Sequence, residues 1–423
     1  MFFKPFPLPV PPILRANTVS IRDLGAAEDK DCTEAIRKAI EKAHALGGGR
    51  VLIPAGKWSC GAIHLKSNVE LHLERGATVS FLPSLSAYLP CVLTNYEGIR
   101  CYNYSPMIYG KGLENVAVTG EGCFEGSGPF FWEWSAKSME GRHRLYAMMR
   151  DRTPVEERVF GNEADCLRSP FFQLLDCKNV LIEGIRLYNS PFWSLHIVWC
   201  ENVTVRGVTV ENQTRSPNTD GINIDASRRV LVEKCKMITL GDDMYCLKAG
   251  RNEDAWDVGR ACEDVIIRDC IGIGKSNSGG IVIGSEMSGS VRNILAERCC
   301  FEDNLNCVRI KSKDGRGGVV ENVDIKGLRM KKGYRGINFS FRYSCEATDD
   351  PKEPGKHLPA LHNIYCEDIR CEEVELGIAI DGIPNAVMKD LYFKDISMNA
   401  RTCLSADGVD GLYMENVRLK EIK

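Results

Sequence analysis

Apolar and polar residues alternate along most of this chain in short runs, and the runs recur. A phrase of the form Asn-Val-apolar-apolar-polar-Gly/Cys-apolar stands at Asn68 (NVELHL), Asn115 (NVAVTG), Asn179 (NVLIEGI), Asn202 (NVTVRGV) and Asn322 (NVDIKGL). Looser copies are RVLVEKC, DVIIRDC, NILAERC, NIYCEDI and GLYMENV. Each copy alternates and is rich in β-branched residues, the pattern of a strand rather than of an amphipathic helix. With the second residue as anchor, the series is Val180, Val203, Val230, Val265, Ile294, Val323, Ile364, Ala386 and Leu412, at intervals of 23, 27, 35, 29, 29, 41, 22 and 26 residues. A repeat of this length predicts a solenoid of stacked parallel strands, with the longest intervals spent on external loops.

A second column of strands follows in the other half of each coil. Its inward pairs are Leu195/Ile197, Ile222/Ile224, Tyr245/Leu247, Ile281/Ile283, Val308/Ile310, Ile337/Phe339 and Ile378/Ile380. Alternation then turns His196, Asn223, Cys246, Val282, Arg309 and Asn338 outward. Near the N-terminus, TVSIRDLGA reads as a strand and DCTEAIRKAIEKAHALGGG as a helix with an Ala35/Ile36/Ala39/Ile40/Ala43 stripe, capped by Asp31 or Thr33 and ended by Gly47 to Gly49. Such a helix would cover the open end of the stack. The expectation is an all-β parallel β-helix forming one domain over residues 1–423, with a strand and capping helix within 18–60 and an inserted loop region at 129–168.

Composition narrows the function classes. With 54 Lys+Arg against 57 Asp+Glu, the net charge is −3, which argues against a nucleic-acid binder or a membrane-surface patch. The apolar runs are too short to cross a bilayer. The 19 cysteines are odd in number, and the opening MFFKPFPLPVPPILR is broken by prolines where a signal peptide would be unbroken. The expected state is reduced thiols in a cytoplasm. Cys177, Cys200 and Cys262 each fall three residues before an anchor, and Cys235, Cys270 and Cys299 five after one. These positions point to core filling. No Cys-x-x-Cys pair occurs, and no metal site is expected.

Candidate chemistry lies on the turns before two second-column strands. Asn218-Thr219-Asp220-Gly221 precedes Ile222, and Gly241-Asp242-Asp243 precedes Tyr245. The alignment sets Asp220 opposite Asp243 one coil apart, roughly 4.8 Å at the backbone. Three carboxylates that close push at least one pKa upward, which lets an acid and a base coexist. Two coils on, Arg309 and Lys311 share a strand face roughly 10 Å away, where they fit either charge balance for the three carboxylates or a grip on an anionic sugar.

These residues resemble a known family. SPNTDGINI, LGDDMYCLKAG, GGIVIGSEMSG and VRIKS are similar to the signature blocks of glycoside hydrolase family 28, the polygalacturonases and their relatives. The resemblance covers roughly residues 18 to 423. It implies a right-handed parallel β-helix that hydrolyses pectic α-glycosidic bonds with inversion, without metal or cofactor. By position it implies Asp242 as general acid, Asp220 and Asp243 as bases that activate water, and Arg309 and Lys311 as carboxylate holders. Asn218 and Lys248, in the same blocks, are further candidate substrate contacts, as is His196 on the outward column. One position departs from the pattern: Ser278 stands where polygalacturonases usually carry His before Gly279-Gly280. That substitution keeps a rhamnogalacturonan-type or other variant pectic linkage open.

Two more distant readings are a Ca²⁺-dependent pectate lyase and a non-catalytic carbohydrate-binding solenoid. Exo action on short pectic oligosaccharides is expected, because the 129–168 insertion could wall off one end of the groove and long pectin does not enter cytoplasm. Neither the oligomeric state nor the second sugar follows from the sequence.

Overall fold

The expected anchors stack in register in the computed structural model, which describes residues 1–213, 216–238, 241–274, 278–344 and 351–423. Val180, Val203, Val230, Val265, Ile294, Val323 and Ile364 pair coil to coil within one sheet of 13 parallel strands. The second column also pairs as expected, from Leu195 through Ile222, Tyr245, Ile281, Val308 and Ile337 to Ile378. The result is a right-handed parallel β-helix. A continuous apolar core runs through it from Val19 to Ala400.

The recurring phrase has a backbone cause. The residue before each anchor adopts a left-handed conformation: Asn115, Asn179, Asn202, Arg229, Asp264, Asn293, Asn322 and Asn363 have φ between 54° and 58°. Asparagine tolerates that region better than other residues with a Cβ. Four residues after each anchor the chain turns through it again, at Gly184, Gly207, Lys234, Asp269, Arg298, Gly327 and Asp368. Two left-handed corners thus bracket each first-sheet strand. The asparagines also hydrogen-bond along the axis: Asn179 Nδ2 donates to Asn115 Oδ1 at 3.0 Å, and Asn202 Nδ2 to Asn179 Oδ1 at 3.2 Å.

One anchor is corrected. Ile364 pairs with Leu391, not with Ala386, and Leu391 pairs with Leu412. Asp390 and Asp395 take the left-handed corners there, so Asn385-Ala386 only mimics the phrase from within the preceding turn. A third strand column, unforeseen, follows the second corner: Arg186–Tyr188, Thr209–Glu211 and Lys236–Ile238 pair in turn. Its inward residues are Leu187, Val210 and Met237.

Helix α1 (Thr33–Ala45) buries the expected alanine and isoleucine stripe against the first coil. Asp31 accepts from the Thr33 amide at 2.9 Å. Before it, the proline-rich segment 1–17 runs back outside the first sheet. The Lys4 amide donates to Asn293 Oδ1 at 2.7 Å, while Asn17 Nδ2 donates to Gly48 O at 2.8 Å beside the first coil. The cysteines at the core positions are buried and unpaired; Cys345 lies outside the described residues.

Two excursions leave the stack on one side. Val92–Tyr96 and Ile99–Asn103 form an antiparallel hairpin. The segment expected as a loop carries helices α2 (Gly128–Trp132), α3 (Trp134–Lys137) and α4 (Met139–Arg150). Hairpin and α4 enclose an apolar cluster of their own, with Tyr96, Ile99, Leu145, Tyr146, Met149, Phe160, Phe192 and Trp193. They form a lobe beside the second column. The 35-residue interval holds helix α5 (Asn252–Val258), whose Asp254 binds Arg100 of the hairpin and Arg158 beyond α4 at 2.8–3.0 Å.

Candidate active site

Where lobe and coil turns meet lies a polar cleft of about 570 Å³. Coil turns and the ends of second-column strands supply Asn218, Asp220, Asp242, Lys248, Ser285, Glu286 and Lys311, and the lobe supplies Glu97, Arg142 and Tyr146. Trp193, Arg251 and Tyr343 complete the lining.

The three aspartates converge because their turns are in register. Gly221 N donates to Asp243 O at 2.9 Å, which sets Asp220 beside Asp243 on successive coils. The carboxyls then diverge in character. Burial and the Asp243 charge push Asp242 up to about 6. Burial would push Asp243 up too, but the Lys311 and Arg309 charges outweigh it and hold its carboxyl below the usual range. Lys311 Nζ sits 2.8 Å from Asp243 Oδ2, and Gly279 N donates to Oδ1 at 2.8 Å. Burial and the Asp242 charge push Asp220 well up, opposed by Lys248 at 3.8 Å.

The backbone spacing put Lys311 roughly two strand steps from Asp243. The register sets Ile310 two coils on from Leu247, through Ile283, so Lys311 lies further along its strand than Asp243 and its side chain reaches back to make the ion pair. Arg309 stays outside the cleft lining, with its guanidinium 5.4 Å from the Tyr343 ring. Lys248 is buried, 2.7 Å from Glu286 Oε2 and 4.5 Å from the Trp193 ring. Asn218 lines the cleft and accepts from Arg168 at 2.8 Å.

Besides Arg309, the predicted site residues Asp243, His196 and Ser278 also lie outside the cleft lining. His196 is fully buried beneath Trp193, between Gln173 at 2.8 Å and Asp225 at 3.2 Å. Burial lowers its pKa, so it is a neutral ring that orders the sheet. Its outward position is as expected, but the lobe and Trp193 cover that part of the column. Ser278 is also fully buried, directly before the Gly279 amide that binds Asp243.

The sequence reading missed Glu97, Arg142, Tyr146, Trp193, Arg251, Glu286 and Tyr343. Glu286 lay within GGIVIGSEMSG, where an acidic residue in an otherwise apolar and small-residue block was a usable signal. The lobe residues belong to no repeat, so their position carried none.

A solenoid whose open face pairs a protonatable carboxyl with an ionised one, among cations, has the equipment of a glycoside hydrolase. The family model for glycosyl hydrolases family 28 matches residues 160–410, and the chain belongs to that family. It is therefore a hydrolase, which sets aside the lyase and non-catalytic readings. The chain is 35% identical to a hyperthermoactive exopolygalacturonase from Thermotoga maritima, at a TM-score of 0.91 over 98% of this chain and 94% of that one. It is 28% identical to a probable polygalacturonase from Vitis vinifera, over 93% of this chain and 78% of the relative. A family 28 exopolygalacturonase from Yersinia enterocolitica shares the fold at 21% identity and a TM-score of 0.75, over 97% of this chain and 78% of that one.

Proposed function

We propose that this protein is an exo-acting, inverting hydrolase of galacturonate-containing pectic oligosaccharides. The observation that carries the reading is the split between Asp242, which lines the cation-rich cleft and is pushed up to about 6, and Asp243, buried next to it and held low. Asp242 is the general acid: it keeps a proton in mildly acidic solution and passes it to the departing oxygen. Asp243 stays ionised and, with Asp220, faces the attacking water. Burial, and after it the Asp242 charge, push Asp220 well up, with Lys248 at 3.8 Å opposing them, so the ionised base is Asp243 and Asp220 assists it. Lys311 and Arg309 supply positive charge for a uronate carboxylate. Exo action is supported by the lobe, whose Glu97, Arg142 and Tyr146 line the cleft, and by the exopolygalacturonase relative at 35% identity. Action on imported oligosaccharides in a cytoplasm belongs to the same proposal.

The test is a panel of defined galacturonan and rhamnogalacturonan oligosaccharides, with products and anomeric configuration read by NMR. Terminal release of galacturonate with inverted configuration is expected. Retention, or turnover of the rhamnose-containing substrates alone, would refute the assignment. The same titrations set the pH profile. kcat/KM should fall about tenfold per unit above pH ~6 as Asp242 loses its proton. It should fall again on the acid side, below the usual carboxylate range, as Asp243 gains one.

A further inference from the structure

Cations line the cleft around Asp242, most of them from the coils and one, Arg142, from the lobe. On the side of the later coils stands Lys311, already 2.8 Å from Asp243. On the lobe side, Lys248, Arg251 and Arg142 face two carboxylates among the described lining residues, Glu286 and Glu97. A bond between two uronates brings a carboxylate to each side. The lobe side therefore needs a receptor that a ligand can reach. Lys248 and Arg251 are each only 3% exposed, and both lie 2.7 Å from Glu286. Arg142 is half-buried at the cleft wall.

Its setting is built. Arg142 and Tyr146 are one turn apart on α4, so both emerge on one helix face. The Tyr146 hydroxyl donates to Glu97 Oε2 at 2.5 Å, and the Arg251 guanidinium lies 4.5 Å from the Tyr146 ring. Glu97 sits at the hairpin turn with φ of 48°, a conformation that costs a residue with a Cβ and persists only where its surroundings impose it.

We propose that Arg142, braced by Tyr146 and Glu97, is the specificity residue that receives the carboxylate of the end sugar lodged against the lobe. This assignment rests on the end-on reading above. A planar guanidinium suits a carboxylate, which it can grip through two parallel bonds.

The test uses trigalacturonate and the same trimer methyl-esterified on one terminal sugar, at either end in separate arms. The wild-type enzyme should favour the free acid over one of the two esters by about 10- to 100-fold in kcat/KM, the range of a charged hydrogen bond. In Arg142→Gln that preference should collapse to about threefold or less. Arg142→Lys should keep part of it, which a merely structural role would not give. Arg152→Gln, an exposed control paired with Asp257, should keep all of it. Terminal release with an unaltered preference in Arg142→Gln would overturn the Arg142 assignment alone. Internal cleavage of a longer oligomer by the wild-type enzyme would overturn the end-on reading, and the assignment with it.

Discussion

The coil stack and the lobe are held together by different means. In the stack, each coil repeats the same two left-handed corners and the same inward column, so neighbouring coils satisfy one another's backbone groups. In the lobe, nothing repeats. A hairpin and α4 share a small apolar cluster and are tied to α5 by buried ion pairs on Asp254. The stack supplies all three aspartates, while the lobe adds Glu97, Arg142 and Tyr146 to the cleft lining. A repeat fixes positions and tolerates little change. An insertion can be altered without shifting the register beneath it. The proposed placing of chemistry on the stack and end-recognition on the lobe follows that division.

The division breaks most visibly at Asp242. Replacing it by Asn removes the transferable proton but leaves an acceptor for the Asp243 amide, which now donates to Asp242 Oδ1 at 2.9 Å. The expected loss in kcat is about 10²- to 10⁴-fold, the usual contribution of a general acid, with little change in melting temperature. Turnover within tenfold of wild type on trigalacturonate would remove Asp242 from the acid role.

Asp254→Ala attacks the lobe instead. It strips the shared carboxylate from Arg100 and from Arg158, which is 3% exposed. Removing one partner of a buried pair typically costs about 3–5 kcal/mol. The cost should fall on the lobe, so amides of Val92–Asn103 and α4 should exchange with deuterium faster while those of the first sheet hold. A chain opened there should also begin to cut longer oligomers internally. Equal loss of protection in lobe and stack would mean that the two regions form one cooperative unit.

Legibility in the sequence follows the same line. The first and second columns could be read because a slip of one residue turns every side chain to the wrong face, so the pattern is strongly marked. The third column could not: strands such as Arg186–Tyr188 turn a single residue, Leu187, inward, and one residue has no period. Ala386 misled because the segment copies both corners, with Asn385 before it and Asp390 four residues on in the left-handed region, although the paired strand is Met388–Lys394 and Leu391 takes the anchor place. The aspartates were visible because their turns inherit the register of the coils. Arg142, Tyr146 and Glu97 meet only through tertiary packing of segments about 50 residues apart, and no local pattern reports such a contact. His196 was legible as outward-facing, yet its burial depends on a lobe that the repeat does not encode.

The smallest expected effect tests the stack at its own repeating element. Asn179 holds φ of 55°, accepts from Asn202 and donates to Asn115. Asn179→Ala loses both side-chain bonds and sets a Cβ residue without a polar side chain in the left-handed region. Partly buried bonds are worth about 0.5–1.5 kcal/mol each, and the backbone conformation costs roughly 1–2 kcal/mol in an ordinary residue. Asn179→Gly loses the same bonds but not the conformational tolerance, although its unfolded chain is more flexible by up to about 1 kcal/mol. The order of melting temperatures should therefore be wild type, then Gly, then Ala, with deuterium uptake in α4 unchanged in both variants. An Ala variant as stable as the Gly variant would show that the corner carries no strain and that the side-chain ladder alone fixes the coil.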